Sequence, residues 1–353
     1  MPLQKIAFVI EDFAPDTPSQ QLLDRFLIGY ARDGEFRKIP DLQVAAWLAP
    51  AAENASFVAD SATNLAIRER DLKLIQPPNL AVAVTDADAI VVVPAVERIS
   101  VSEESLKNVL ERTPVGSACF VHGCLAPTLA GARRVQSIAV ERKLSLATGT
   151  SVASTFRLPD VDASEGAPLT EALIVVQGPR PMAELSAIEG LSPIVARRGG
   201  GESGIRSVRR LNGRDVWRAG DSDDWSWALL NAAISRSNTT QGDALKDART
   251  QDLVRLGLVK KLAREPRGWI IEHRDGLRST ILVLDGAIAD FNFAVRSRDG
   301  TITSAQLYRP PAPNRAEFDR LAAVLEDFFA TRKSPWPIER SFLVSQFIEN
   351  VAA

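Results

Sequence analysis

Two hydrophobic periods alternate along the N-terminal part of the chain. Short runs of β-branched and apolar residues at 5–10, 42–48, 88–94, 116–121 and 144–149 predict strands. Between them the apolar positions fall at helical spacing. Leu22, Leu23, Phe26, Leu27 and Tyr30 share one face, and 61–70, 102–112 and 128–141 read as further helices. Thr17-Pro18-Ser19-Gln20 has the form of a capping box, with Thr17 as N-cap, Pro18 as first helical residue and Gln20 reaching back to the Thr17 amide. The run at 88–94 is apolar on both faces, as a central parallel strand should be. Strands and helices in this alternation predict βαβ units, and hence an α/β, Rossmann-like parallel sheet over residues 1–155.

The pattern changes after 150–168, where Pro159, Gly166 and Pro168 punctuate a polar stretch. Asp-Gly pairs at 275–276, 285–286 and 299–300 each separate strand-like runs, at 269–274, 277–284, 287–298 and 301–308. Asp-Gly suits a type I′ hairpin turn, so these runs predict a four-stranded antiparallel meander. Within the third run Phe291, Phe293 and Val295 alternate with Asp290, Asn292 and Arg296, which predicts one apolar and one polar sheet face. Further strands are expected at 169–177 and 205–211, and helices at 182–195, 223–235, 315–332 and 338–351. The expected second domain, 156–337, is α+β with an open, mainly antiparallel sheet. The last helix, 338–353, is expected to return to the first domain.

Composition narrows the class. The chain has 353 residues, 45% hydrophobic and 24% charged, which excludes a disordered or fibrous protein. A net charge of −2 gives no reason to expect nucleic acid or an anionic membrane as partner. No apolar run has membrane-spanning length, the N-terminus lacks a signal-peptide pattern, and two cysteines build no disulfide framework. A cytoplasmic protein is the expectation.

A parallel α/β half followed by an antiparallel sheet resembles the Gfo/Idh/MocA oxidoreductases. Asp88-Ala89-Ile90-Val91-Val92-Val93-Pro94 is similar to that family's strand ending in Pro beside the nicotinamide, and Pro335-Trp336-Pro337-Ile338-Glu339-Arg340 to its closing segment. A group of bacterial members of the family is similar at Phe26-Leu27-Ile28-Gly29-Tyr30, Asp33-Gly34-Glu35-Phe36, Arg197–Gly204 and Gly220-Asp221 with Trp225-Ser226. The resemblance implies NAD or NADP as cofactor, a sugar or polyol substrate in an interdomain cleft, and a homo-oligomer built through the antiparallel sheet. A cofactor is expected against Asp12, Thr17 and Pro94.

The chain departs from the family where the cofactor binds. Glu11-Asp12-Phe13-Ala14-Pro15-Asp16-Thr17-Pro18 stands in place of the glycine-rich loop, and its three acids would repel a pyrophosphate. The ribose-binding acid is replaced by Ala49-Pro50-Ala51. The Lys of the family's Glu-Lys-Pro motif has no counterpart at Thr148-Gly149-Thr150-Ser151-Val152. The nicotinamide site is therefore expected to be degenerate. A literal G-x-G-x-x-G at 199–204 follows a helix and precedes a strand, the reverse of the order a dinucleotide requires.

The candidate catalytic groups are Glu202, facing the cleft, and His122, at the carboxyl end of a strand. Arg197, Arg198, Arg206, Asp221 and Tyr308 are candidate substrate contacts. Cys119, His122 and Cys124 lack a fourth ligand, so no metal is expected. His273 reads as a sheet-surface residue. Trp217, Trp225 and Trp227 read as core, or as a wall on which a sugar stacks. The leading expectation is a sugar or polyol oxidoreductase with an altered cofactor site. The alternatives are a cofactor-independent lyase or hydrolase using Glu202 and His122, and a non-catalytic partner subunit.

Overall fold

The computed structural model describes residues 3–49, 55–242 and 252–352. Contacts divide the chain into two units, residues 1–154 with 310–345 and residues 155–309 with 346–353.

The first unit runs β1 (Lys5–Ile10), α1 (Pro18–Leu27), β2 (Tyr30–Arg32), β3 (Glu35–Arg37), β4 (Gln43–Leu48), α2 (Ala55–Leu72), α3 (Leu80–Val84), β5 (Ala89–Val93), α4 (Glu103–Arg112), β6 (Ala118–His122), α5 (Leu129–Glu141), β7 (Ser145–Gly149) and α6 (Ser151–Ser154). Its main sheet has the order β4-β1-β5-β6-β7, and every pair is parallel. Ile75 adds a single parallel bridge to Ala45 at the β4 edge. The order reverses between β1 and β5, which makes the carboxyl ends of those two strands the switch point of the sheet.

Helices cover both faces, because the strands are apolar on both. Phe8, Leu22, Phe26 and Phe329 are buried on one face; Val9, Val92, Leu106 and Val135 on the other. The sequence reading places 315–332 in the second domain. Instead Phe318, Leu321, Leu325 and Phe328 of that helix lie in the first unit's core, where Phe26 meets Phe329 at 5.9 Å. An amphipathic stripe states that it must be covered, not by which sheet.

Thr17 caps α1 by accepting from the Gln20 amide. Gln20 bonds the Asp16 amide rather than that of Thr17, so the box closes one residue early. The β2–β3 hairpin was not anticipated. Asp33 and Gly34 both have positive φ, 54° and 85°, the type I′ geometry.

The second unit runs β8 (Phe156–Leu158), β9 (Leu169–Val176), α7 (Met182–Val195), β10 (Ile205–Asn212), α8 (Arg214–Asp221), α9 (Trp227–Ile234), α10 (Leu258–Leu262), β11 (Arg267–His273), β12 (Arg278–Val283), β13 (Asn292–Ser297) and β14 (Ile302–Tyr308). The chain then returns to the first unit as α11 (Glu317–Thr331) and enters α12 (Ile338–Ala352), within which the two units divide.

The sheet order is β10-β11-β12-β9-β13-β14-β8, mainly antiparallel. The expected meander is therefore two hairpins with β9 between them, parallel to β12 and antiparallel to β13. The flanking Asp-Gly turns are not type I′ either. In these two turns the glycine alone, Gly276 or Gly300, has positive φ, and its amide bonds back to the residue three before it, His273 or Ser297. That is a type I turn closed by a left-handed glycine. Asp285-Gly286 makes no hairpin. Asp285 accepts from the Gly178 amide, tying the loop to the end of β9.

The expected polar face of β13 is not open along its length. Asn292 is fully buried and bonds Asp290, which also holds Ser237, Asn238 and Gln306. The helix expected at 223–235 begins only at Trp227, capped by Ser226, and a break at 222–226, with Asp223 at φ 60°, separates it from α8, which Asp221 ends rather than lying in a loop. Trp225 sits in the break, buried, donating through Nε1 to the Val216 carbonyl at 2.8 Å. Gly220 makes room for it: a Cβ there would come within 2.4 Å of the Trp225 ring.

Candidate functional site

The switch point of the first unit is where an open parallel sheet binds ligands. β1 ends in Glu11-Asp12, and both carboxylates turn onto the segment that follows β5. Glu11 Oε2 accepts from the Ala95 amide and from Arg98 Nη1, each at 3.1 Å. Asp12 is fully buried. Its Oδ1 accepts from Ser19 Oγ at 2.6 Å and its Oδ2 from the Val96 amide at 2.6 Å. Burial raises the Asp12 carboxyl above its ordinary value, against the lowering pull of those two bonds.

Thr17, Ser19 and Asp12 form one chain of hydroxyls and carboxylate, with Thr17 Oγ1 2.9 Å from Ser19 Oγ. The rest of the loop is anchored as firmly. Phe13 is buried; its amide donates to Ser61 Oγ at 2.9 Å and its carbonyl accepts from Asn64 Nδ2 at 3.1 Å.

The start of the first helix is where a fold of this kind holds a dinucleotide pyrophosphate when it binds one. At the start of α1, where such an anion is held, the chain supplies its own carboxylate. Pro18 removes one amide, Thr17 caps another, and no glycine lets a phosphate approach. Pro94 is buried beside the crevice in the strand-end segment that Glu11 and Asp12 pin.

His122 ends β6, opposite Gly149 of β7. Its ring stacks on Phe318 at 6.4 Å, and its buried Nε2 has no hydrogen-bond partner. Burial pushes its pKa down to about 4, so it is neutral at pH 7. The next residue, Gly123, has φ 97°, and a Cβ there would lie 2.3 Å from the Ile99 carbonyl oxygen. Cys119 and Cys124 are buried and form no disulfide, and burial pushes Cys119 up to about 12, far from nucleophilic. No metal-binding group of His, Cys, Asp or Glu occurs among the described residues.

Glu202 and Arg198 belong to the second unit and meet each other in its interior. Arg198 donates to Asp275 at 2.6 Å, to the Val195 carbonyl at 2.7 Å and to Ser203 Oγ at 3.1 Å. Glu202 Oε2 lies 3.6 Å from Arg198, and its Oε1 accepts from the Gly204 amide at 2.7 Å. His273, expected on the sheet surface, is buried with them. Its Nδ1 is 3.5 Å from Glu202 and its Nε2 is 2.9 Å from Ser279 Oγ. Burial raises the Glu202 carboxyl, but His273, the Gly204 amide and Arg198 outweigh it and hold it below its ordinary value. Glu202 is thus a committed anion, and Arg198 is not open to a substrate.

The other candidates stand apart from that cluster. Arg197 donates to the Ala163 carbonyl at 2.6 Å. Arg206 is exposed on β10. Asp221 pairs with Lys260 at 3.2 Å, and Lys260 lies over the Trp227 ring at 4.9 Å. Tyr308 is half-exposed at the end of β14, its carbonyl accepting from Thr155 Oγ1. The pairing of Asp12 with Val96 and of Glu202 with His273 escaped sequence reasoning. The only signal for the first was an acidic loop without glycine. The second joins residues far apart in sequence, with no motif to mark it.

No protein-family model matches the chain, and no curated protein matches it in sequence. Solved structures do match in fold. A myo-inositol dehydrogenase from Lactobacillus casei, in complex with NAD(H) and myo-inositol, is 14% identical with a TM-score of 0.57, covering 98% of this chain and 91% of that one. GenD2 from gentamicin A biosynthesis, in complex with NAD, is 13% identical with a TM-score of 0.57, over 99% and 93% of the two chains. A biliverdin reductase from Synechocystis, with biliverdin and NADP+, is 12% identical with a TM-score of 0.53, over 100% and 98%. No helix among the described residues is long and apolar enough to cross a membrane.

Proposed function

We propose, starting from the Gfo/Idh/MocA oxidoreductase fold that this chain has, that it acts on a sugar or polyol derivative through a scaffold whose nicotinamide site is degenerate. The observation that carries the second half of this reading is the Asp12 carboxylate, buried between Ser19 and the Val96 amide where a cofactor's pyrophosphate would have to lie. A second anion there would face Asp12 at close range with Glu11 beside it. The substrate class rests on the fold alone, through the inositol dehydrogenase.

The test is a titration of NADH and NADPH followed by nicotinamide fluorescence, with a thermal-shift panel of inositols, aldoses and sugar acids alongside. The expected result is no saturable binding of either dinucleotide and a dose-dependent shift with at least one polyol or sugar. Micromolar binding of a dinucleotide would overturn the degenerate site; a flat panel would overturn the substrate class.

A second reading has its own observation. His122 has an unpartnered Nε2, a ring nitrogen available to bond a substrate hydroxyl in cofactor-independent turnover, though its lowered pKa makes it a weak base. Glu202 does not support that chemistry, since its carboxylate is already engaged in an ion cluster. Turnover of a sugar derivative without added cofactor, lost in His122→Gln with the fold intact, is the result this reading requires.

A further inference from the structure

The first unit carries a cavity of about 580 Å³ on the sheet face between α3 and α4. It exists because α3 is short, Leu80–Val84, and leaves part of the sheet beside α4 uncovered. The floor is apolar: Val9, Val92 and Trp47 from the strands and Val109 from α4. The rim is polar and unequal in charge. At one end Arg112 donates through Nη1 to the carbonyl and the side chain of Asn108, which fixes one edge of its guanidinium. No carboxylate pairs with Arg112 among the described residues. At the other end stands Glu11, already engaged by Arg98 and the Ala95 amide.

We infer that this cavity binds a small amphiphilic carboxylic acid, its hydrocarbon body on the valine and tryptophan floor and its carboxylate on Arg112. The volume is that of a pocket for a drug-sized molecule, and an apolar lining with a few placed polar groups is the usual form of such a site. Arg112, the one cation among the described lining residues, sets the sign of the ligand's polar end, because a guanidinium edge offers a carboxylate paired N–H donors. Glu11 sets the direction, since it repels an anion from the opposite end. The inference does not rest on the proposed substrate: it concerns one face of one unit and needs no turnover.

Octanoate is the probe, with octan-1-ol as its uncharged counterpart and adenosine as a ligand of different chemistry. Isothermal titration on the full chain is expected to show saturable octanoate binding and weaker octanol binding. Arg112→Gln should weaken octanoate by about tenfold or more and leave octanol within about twofold, the loss of one charge-assisted contact at a rim position. Val109→Trp, which fills the floor, should abolish both. Since that variant disturbs packing, Arg112→Gln, at an exposed position, keeps the test decisive. Absence of octanoate binding at millimolar concentration, an unchanged affinity in Arg112→Gln, or saturable binding of adenosine in place of the acid would each overturn the assignment.

Discussion

The Asp12 carboxylate accepts the Val96 amide at 2.6 Å, so the loop after the first strand is fastened to the segment after its switch-point neighbour, β5. That one bond, with its companion to Ser19, makes the loop part of the protein's own structure. It leads to the first test. Asp12→Ala leaves the Val96 amide and the buried Ser19 hydroxyl without their shared acceptor, and is expected to cost roughly 1–3 kcal/mol in urea unfolding. Asp12→Asn keeps the shape and removes the buried charge. Because burial raises the Asp12 carboxyl, its contribution is full below the ordinary value of 3.8 and falls away as pH rises through the folded value. Stability of Asp12→Asn relative to the parent should therefore be better at pH 7 than at pH 3; equal differences at the two pH values would refute the buried-charge account.

His122 gives a pH dependence of defined sign. Its folded pKa of about 4 lies below the ordinary 6.5, so the unfolded chain takes up a proton between those values that the folded chain refuses. The parent should lose on the order of 3 kcal/mol between pH 6.5 and 4 through this group. His122→Phe retains a ring against Phe318 and should flatten that part of the profile. Parallel profiles for parent and variant, read by urea midpoints, would remove the claim.

The Glu202 cluster is expected to behave as structure. Glu202→Gln removes the charge facing Arg198 and His273 and should lower stability by roughly 3–5 kcal/mol, the range for breaking a buried pair. The Glu202 contribution is present above the ordinary value of 4.5 and lost as pH falls through the lowered folded value, so the variant's deficit should shrink in acid. Hydrogen exchange at the Gly204 amide, which donates to Glu202, should accelerate in the same variant.

Gly220 and Trp225 form a coupled pair. Gly220→Ala places a methyl against the Trp225 ring and is expected to destabilise by about 1–3 kcal/mol. Most of that cost should vanish when the same change is made in a Trp225→Leu background. An additive double mutant would show that the two residues do not share space.

Much of the architecture was legible in the sequence because its signals are local. The apolar run at 89–93 is central and parallel as expected, and Thr17, Ser102 and Thr128 cap the helices they precede. What failed was pairing. Asp-Gly at 275–276 and 299–300 marks real hairpins, but nothing in those dipeptides says that β9, more than a hundred residues earlier, joins them. The Asp-Gly with full type I′ geometry, Asp33-Gly34, follows a helix and joins three-residue strands too short to show a period. The candidate site was legible only as a departure: the missing glycines and the acids of 11–17 are plain in the chain, while the partners that turn Asp12 into a brace are not. Arg198 and Glu202 looked like ligand groups because sequence shows charge and not burial.

The place of β9 carries a consequence for assembly in time. Each flanking hairpin can zip from its own turn, but β12 and β13 touch only through a strand synthesised long before either. Neither half of the sheet can nucleate the other by local contact, and the ordering step must close loops of a hundred residues or more. Until it does, both long edges of β9 stand unsatisfied, which exposes this sheet to misassociation at the ribosome and in refolding.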